Sequence, residues 1–124
     1  MIRTTCLAAV TALVATAALA HHGWSWAEDQ LSRLTGTITQ VTIAPPHPKL
    51  LVEDAQGTVW TVELGNPGRT QRAGFVEGTA APGARVEVLG NRDQDASQAR
   101  IKAVRITIEG RDFDFYPERI PPGV

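Results

Sequence analysis

The feature that most limits what this chain can fold into is a change of parity within a Thr-rich apolar run. Residues Leu34 to Ile43 are rich in Thr, Ile and Val, the composition of a half-buried strand. Ile38 lies on one parity and Val41 and Ile43 on the other. Strand side chains alternate faces, so a strand that keeps its apolar residues on one side through that switch must carry a bulge or a sharp coil. The same shift recurs in Arg100 to Glu109, where Ile101 is followed by Val104, Ile106 and Ile108. Bent first and last strands are what closing a small barrel requires.

The intervening residues supply an element order. In Ala44-Pro45-Pro46-His47-Pro48, three prolines withdraw three N–H donors and stop the first strand. Lys49 to Glu53 is a second strand, and Asp54-Ala55-Gln56-Gly57 is a hairpin turn with Gly available for positive φ. Thr58 to Leu64 is a third strand, with Trp60, Val62 and Leu64 on one face. Asn66 suits a helix N-cap, Pro67 the first helical position and Gly74 a left-handed stop, with Phe75 and Val76 docking the helix on the sheet. After a Pro82-Gly83 turn, Arg85 to Leu89 and Arg100 to Glu109 are strands four and five, joined by the polar loop Gly90 to Gln98. This order predicts a mostly β fold: a five-stranded OB-like Greek-key barrel with one short helix between strands 3 and 4. An open meander or a small sandwich is the alternative.

The first residues read as an export signal. Arg3 precedes an uncharged stretch from Leu7 to Leu19, and Ala18-Leu19-Ala20 places the cleavage site between Ala20 and His21. The stretch is short of the roughly 20 apolar residues that a membrane span needs. The one cysteine, Cys6, precedes the apolar run, so no lipid attachment is expected and the mature chain carries no thiol. A periplasmic location is expected. The organisation is then a signal peptide over 1–20, a lead-in over 21–33, the OB-like domain over 34–110 and a tail over 111–124. In the lead-in, Ser25-Trp26-Ala27-Glu28 matches a capping box, which allows a short helix from Trp26 to about Ser32, and an extended arm is expected equally. Trp24 and Trp26 are expected to pin the lead-in to the domain. Phe113, Phe115 and Tyr116 are expected to pack the tail over an open barrel end, with an edge strand or a partner-docking motif as alternatives.

Several short motifs occur in a characteristic order: Ala20-His21-His22 with Trp24, Leu34-Thr35-Gly36-Thr37-Ile38, Pro46-His47, Trp60-Thr61-Val62-Glu63, Arg72-Ala73-Gly74, Pro82-Gly83-Ala84-Arg85-Val86 and Arg105-Ile106-Thr107. In this the chain resembles domain-of-unknown-function family 6152, small secreted bacterial proteins with an OB-like domain. The resemblance runs over nearly all of the mature chain. It departs at Pro45, where the family usually has Asn before the Pro-His pair. It implies a fold and an export route and no known activity.

Charge and motifs narrow the function classes. Loss of Arg3 with the signal takes the net charge from −1 to −2. Arg69, Arg72, Arg85, Arg92 and Arg100 are scattered among acids, and Trp60 reads as core. No nucleic-acid partner is therefore expected, and no stable membrane insertion after signal cleavage. The mature chain shows no nucleophile elbow and no phosphate-cradling loop, and Glu28, Asp29, Glu53, Asp54 and Glu63 read as solvated or turn positions, so no enzyme is expected.

The three histidines are His21 and His22 at the new amino end and His47 in the Pro-rich loop. Cleavage after Ala20 frees the His21 α-amine, which with its own imidazole can chelate one ion, and His22 or His47 can add a further nitrogen. Such a nitrogen-rich site suits copper, as Cu(II), ahead of Ni(II) or Zn(II). The bland alternative is an ordinary soluble chain end and a rigid turn. The expected partners are thus a metal ion or an envelope protein. In the second case the chain is an envelope interaction or adaptor domain that binds a protein or small ligand through the barrel face and the Phe113–Tyr116 tail.

Overall fold

The computed structural model describes residues Gly23 to Val124; the predicted signal peptide, His21 and His22 lie outside the described residues. The elements are β1 (Ala27–Thr42), β2 (Lys49–Glu53), β3 (Val59–Glu63), α1 (Pro67–Arg72), β4 (Arg85–Asp93), β5 (Arg100–Ile108) and β6 (Arg111–Asp114), followed by a 3₁₀ turn at Pro117–Arg119. The sheet order is β3-β2-β1-β4-β5-β6, and β3 also pairs with β5. That last pairing is parallel, Thr61 to Arg100 and Val62 to Ile101, and it turns the sheet into a ring. β1 serves both halves: residues up to Thr37 pair with β4, and residues from Thr37 onward pair with β2. Five strands closed in this way, with the helix between β3 and β4, make the Greek-key barrel of the OB fold.

Both parity switches in the sequence mark real irregularities. The β1–β2 register shifts between Ile38 and Gln40. The β4–β5 register shifts between Leu89 and Gly90, leaving Val104 as the extra residue between Ala103 and Arg105. The bulges let both phases face inward, and Ile38, Ile101, Val104 and Ile106 are all fully buried with Leu50, Val52, Val62 and Val88. The barrel is narrow where β1 and β4 bend. A Cβ at Gly36 would strike the Glu53 carbonyl, and one at Gly90 the Lys102 carbonyl.

α1 begins as expected: the Asn66 side chain accepts from the Arg69 N–H at 2.9 Å, and Pro67 opens the helix. The Thr70 hydroxyl donates to the Gly65 carbonyl at 2.8 Å, tying the helix to the end of β3. Phe75 then enters the core, edge-on to Phe113 at 5.4 Å and to Phe115 at 6.2 Å. Val76 does not join it and stays about half exposed.

Both ends of the described chain add to the sheet. Of the two readings of the lead-in, the extended one holds and the helix from Trp26 does not: β1 already starts at Ala27, because Leu31 and Ser32 pair with Asn91 and Gly90 of β4. The five barrel strands stand as expected, and the tail takes its edge-strand alternative, Arg111–Asp114 pairing with the second half of β5 as a sixth strand. Among the described residues no helix is long and apolar enough to cross a membrane.

Candidate functional site

Ring closure lines up one row of outward side chains. Lys49 pairs with Glu63, Glu63 with Lys102, and Lys102 with Asn91. Their neighbours Leu50, Val62 and Ile101 point into the core. Paired residues share a face, so these four project outward together. The first described residues and the C-terminal tail lie over part of this row. Trp24 stands edge-on to Tyr116, with centroids 4.8 Å apart. The Lys102 ammonium is 5.7 Å from the Trp24 ring and 5.6 Å from the Tyr116 ring. Arg119 lies 3.9 Å from the Trp24 ring, and Arg69 from α1 lies 4.5 Å from that of Tyr116. Arg100 stacks on Trp26 at 3.5 Å and pairs with Glu63 at 2.9 Å. The backbone is fixed as well: Ala27 N–H donates to the Trp24 carbonyl, and the Gln94 side-chain amide donates to the carbonyls of Ser25 and Ala27.

The electrostatics follow from this cover. Lys102 is only 8% exposed. Burial pushes its ammonium below the ordinary lysine range; Glu63 opposes that shift and Arg100 adds to it. Burial raises the Tyr116 hydroxyl, against the pull of Arg69 and Arg119. Asn91 donates to the Asp29 carbonyl at 3.2 Å, while its buried Oδ1 has no partner among the described residues. Trp60 is half-buried; its indole N–H donates to Asp54 at 2.9 Å, and Arg92 lies 5.0 Å from its ring.

The histidines expected to bind metal divide. His21 and His22 fall outside the described residues, and His47 is exposed on the β1–β2 connection. Its neighbour Pro48 accepts from the Leu64 N–H at 3.0 Å, which fixes the loop against the end of β3. Among the described residues no three His, Cys, Asp or Glu side chains are grouped to hold an ion. The aromatic tail is not a free docking motif: Phe113, Phe115 and Tyr116 are all buried. Sequence reasoning missed Lys102, Arg119 and Arg69. For Lys102 a signal was present, a lysine inside the apolar run Ile101 to Val104.

The sequence profile of the family of unknown function DUF6152 matches residues 9–102. No curated protein matches the chain. Among solved structures, the S. pombe Stn1–Ten1 complex is 22% identical over 63% of this chain, with a TM-score of 0.49, and the chain spans 57% of that protein's length. The S. cerevisiae mitochondrial single-stranded DNA binding protein Rim1 is 15% identical over 64% of this chain and 94% of its own, with a TM-score of 0.47. The expectation of no nucleic-acid partner is corrected here, because proteins with this fold include one described as binding single-stranded DNA. The physical reason is that net charge is a poor guide to single-strand binding, which draws on local cations and exposed aromatic faces.

Proposed function

The chain belongs to the family of unknown function DUF6152, and from that premise we propose that it is an exported OB-type binding module that takes Cu(II) at its processed amino end. The His21 α-amine and imidazole form the primary chelate, and His22 and His47 supply further nitrogens. The observation that carries this reading is the closure of the barrel. Lys49 and Lys102 lie on either side of Glu63, two strand spacings or about 10 Å apart. His47 is two residues from Lys49 in sequence, and His22 is two residues from Trp24, whose ring covers Lys102. Two extended residues reach about 7 Å, and these short spacings in the sequence support the reading that His47 joins the amino-terminal chelate.

The donor set must lose protons to bind. Affinity therefore falls as pH drops through about 6 to 7. The test compares Cu(II) affinity for the correctly processed protein, for His47→Ala, and for protein with one extra residue ahead of His21. Weaker binding by both altered forms supports the structured site; equal affinity in all three removes it. An intact mass starting anywhere but His21, in protein recovered from its native host, removes the chelate as well.

A second reading is favoured by the rings of Trp24 and Trp26, half-buried on the outer face and each carrying an arginine. Such faces stack bases, and single-stranded nucleic acid is the ligand they suit. Anisotropy of a labelled oligonucleotide tests it: salt-sensitive binding lost in Trp26→Ala supports it, and no binding at low salt ends it.

A further inference from the structure

We infer that the cavity between β1 and the C-terminal tail binds a small carboxylate with an N–H beside it: an N-acylated amino acid, the chemistry that the carboxyl end of a peptide also presents. The cavity has a volume of about 490 Å³ and is lined by Asp29, Leu31, Asn91, Arg119 and Pro121. That is within the range of small-molecule sites. It lies where β1 bulges: Ala27 to Leu31 on β1 spans only Asp93 to Asn91 on β4. Bulges of this kind re-aim side chains and are common next to functional sites. Here the Asp29 carbonyl, out of register with β4, is caught by the Asn91 side-chain amide at 3.2 Å. The site uses no histidine and stands without the copper reading.

Asn91 is a costly residue at that position. Asparagine is depleted in strands, and this one is only 4% exposed. The bond from its Nδ2 fixes the amide, since turning it over would set its oxygen against the Asp29 carbonyl. Its Oδ1 is left as an acceptor with no donor among the described residues. A buried acceptor without a partner costs free energy that a ligand N–H recovers. Three polar side chains are buried among the described residues: Thr70, Asn91 and Lys102. Thr70 is satisfied by the Gly65 carbonyl. The other two are cross-strand partners and stand side by side on the outer face.

The local charge selects an anion. Glu63, the register partner of Lys102 on β3, is paired with Arg100 at 2.9 Å, and Glu118, next to Arg119, is paired with Arg69 at 2.9 Å. Lys102 and Arg119 lie instead against the Trp24 ring, at 5.7 and 3.9 Å. Arg119, on the cavity wall, takes the ligand carboxylate, and Lys102 beside Asn91 adds to the attraction. Asp29 is exposed at the rim and opposes a second negative charge. The neutral N–H next to the carboxylate serves Asn91 Oδ1; an ammonium in its place would be repelled by Lys102. Leu31 and Pro121 supply apolar surface for the ligand's side chain.

The probe is N-acetyl-leucine, titrated into the intact protein and followed by NMR. Signals of Leu31, Lys102 and the Asn91 side-chain amide should shift saturably at millimolar concentration. 4-Methylpentanoate lacks the N–H and N-acetyl-leucine amide lacks the charge. Each should bind about tenfold more weakly, the effect of losing one hydrogen bond or one charged contact. In Asn91→Leu the preference for N-acetyl-leucine over 4-methylpentanoate should disappear, and in Arg119→Ala its preference over the amide should shrink severalfold. The urea midpoint of Asn91→Leu reports whether that variant is folded. Arg119 is exposed, so Arg119→Ala keeps the core and carries the test alone where Asn91→Leu does not fold. No saturable shift, equal affinity for the three probes, or preferences that persist in the folded variants overturns the inference. A longer peptide ending in leucine separates the two sources of the chemistry: tighter binding than N-acetyl-leucine assigns the cavity to peptide ends, and weaker binding assigns it to free N-acylated amino acids.

Discussion

Asp54 receives the indole N–H of Trp60 at 2.9 Å, and the same carboxylate closes the β2–β3 turn by accepting from the backbone N–H groups of Gln56 at 2.9 Å and Thr58 at 3.0 Å. The Trp60 bond is the main reason its carboxyl sits below the usual aspartate value; desolvation opposes it, and the turn bonds and Arg92 add to it. These contacts favour the ionised form. The stability they supply is therefore complete above the unfolded carboxylate's value of about 3.9 and is lost as pH falls through the lowered folded value. Asp54→Asn should lower the urea midpoint at neutral pH and flatten the decline below about pH 4. Midpoints that fall as steeply in the variant as in the parent would show that other carboxylates govern acid unfolding.

Lys102 gives the opposite end of the pH scale. Its folded value is depressed, so the folded state disfavours the charged form. Relative stability should rise as pH climbs from that lowered value toward the unfolded lysine value of about 10.4. Lys102→Met keeps the stem beneath Trp24 and Tyr116 and removes the desolvated charge. Its stability at neutral pH should lie within about 1 kcal/mol of the parent or above it. Urea titrations at neutral and alkaline pH check the sign, since any advantage of the variant should shrink as pH rises.

The glycines at the barrel's bends face neighbouring backbone at very short range. Gly36→Ala and Gly90→Ala would push a methyl into the carbonyls of Glu53 and Lys102, and each should cost about 1–3 kcal/mol. No atom lies within 4 Å of the Cβ position at Gly78, whose demand is only its positive φ of 85°. There an alanine should cost about 1 kcal/mol. Urea midpoints of the three variants should preserve that order.

Phe75, Phe113 and Phe115 form one edge-stacked group at the base of the core. Phe75→Ala should cost about 3–5 kcal/mol. A chain ended at Gly110 loses two of these rings and the β6 pairing, and it should fail to give a cooperative thermal transition. A sharp calorimetric peak from that truncation would show that the barrel closes without them.

The barrel could be read from the chain because its irregularities are written locally. The parity switch at Ile38 and Val41 and the one at Ile101 and Val104 each fall within a single strand, and Asn66-Pro67 is a self-contained start signal. The start of β1 was hidden for the converse reason. Ser25 to Glu28 satisfies a helix cap on its own, and only Asn91 and Gly90, some sixty residues on, pull Leu31 and Ser32 into the sheet. β6 did leave a trace: Glu109 and Gly110, both at positive φ, form a two-residue turn between the alternating Ile106, Ile108 and Phe113, Phe115. Of the candidate site, His47 in an exposed loop was legible. The burial of Lys102 was not, since its cover comes from Trp24 and Tyr116, from opposite ends of the chain.

The parallel β3–β5 seam divides the molecule in a way the hairpins do not. β1, β2 and β3 form one meander and β4, β5 and β6 another, and their strands pair with each other along two seams, β1 with β4 and β3 with β5. Neither meander can enclose an interior by itself. The exposed turn at Glu77 and Gly78 lies between them. A protein nicked there should survive as two fragments bound non-covalently, and the fragments mixed after separation should reassemble by complementation.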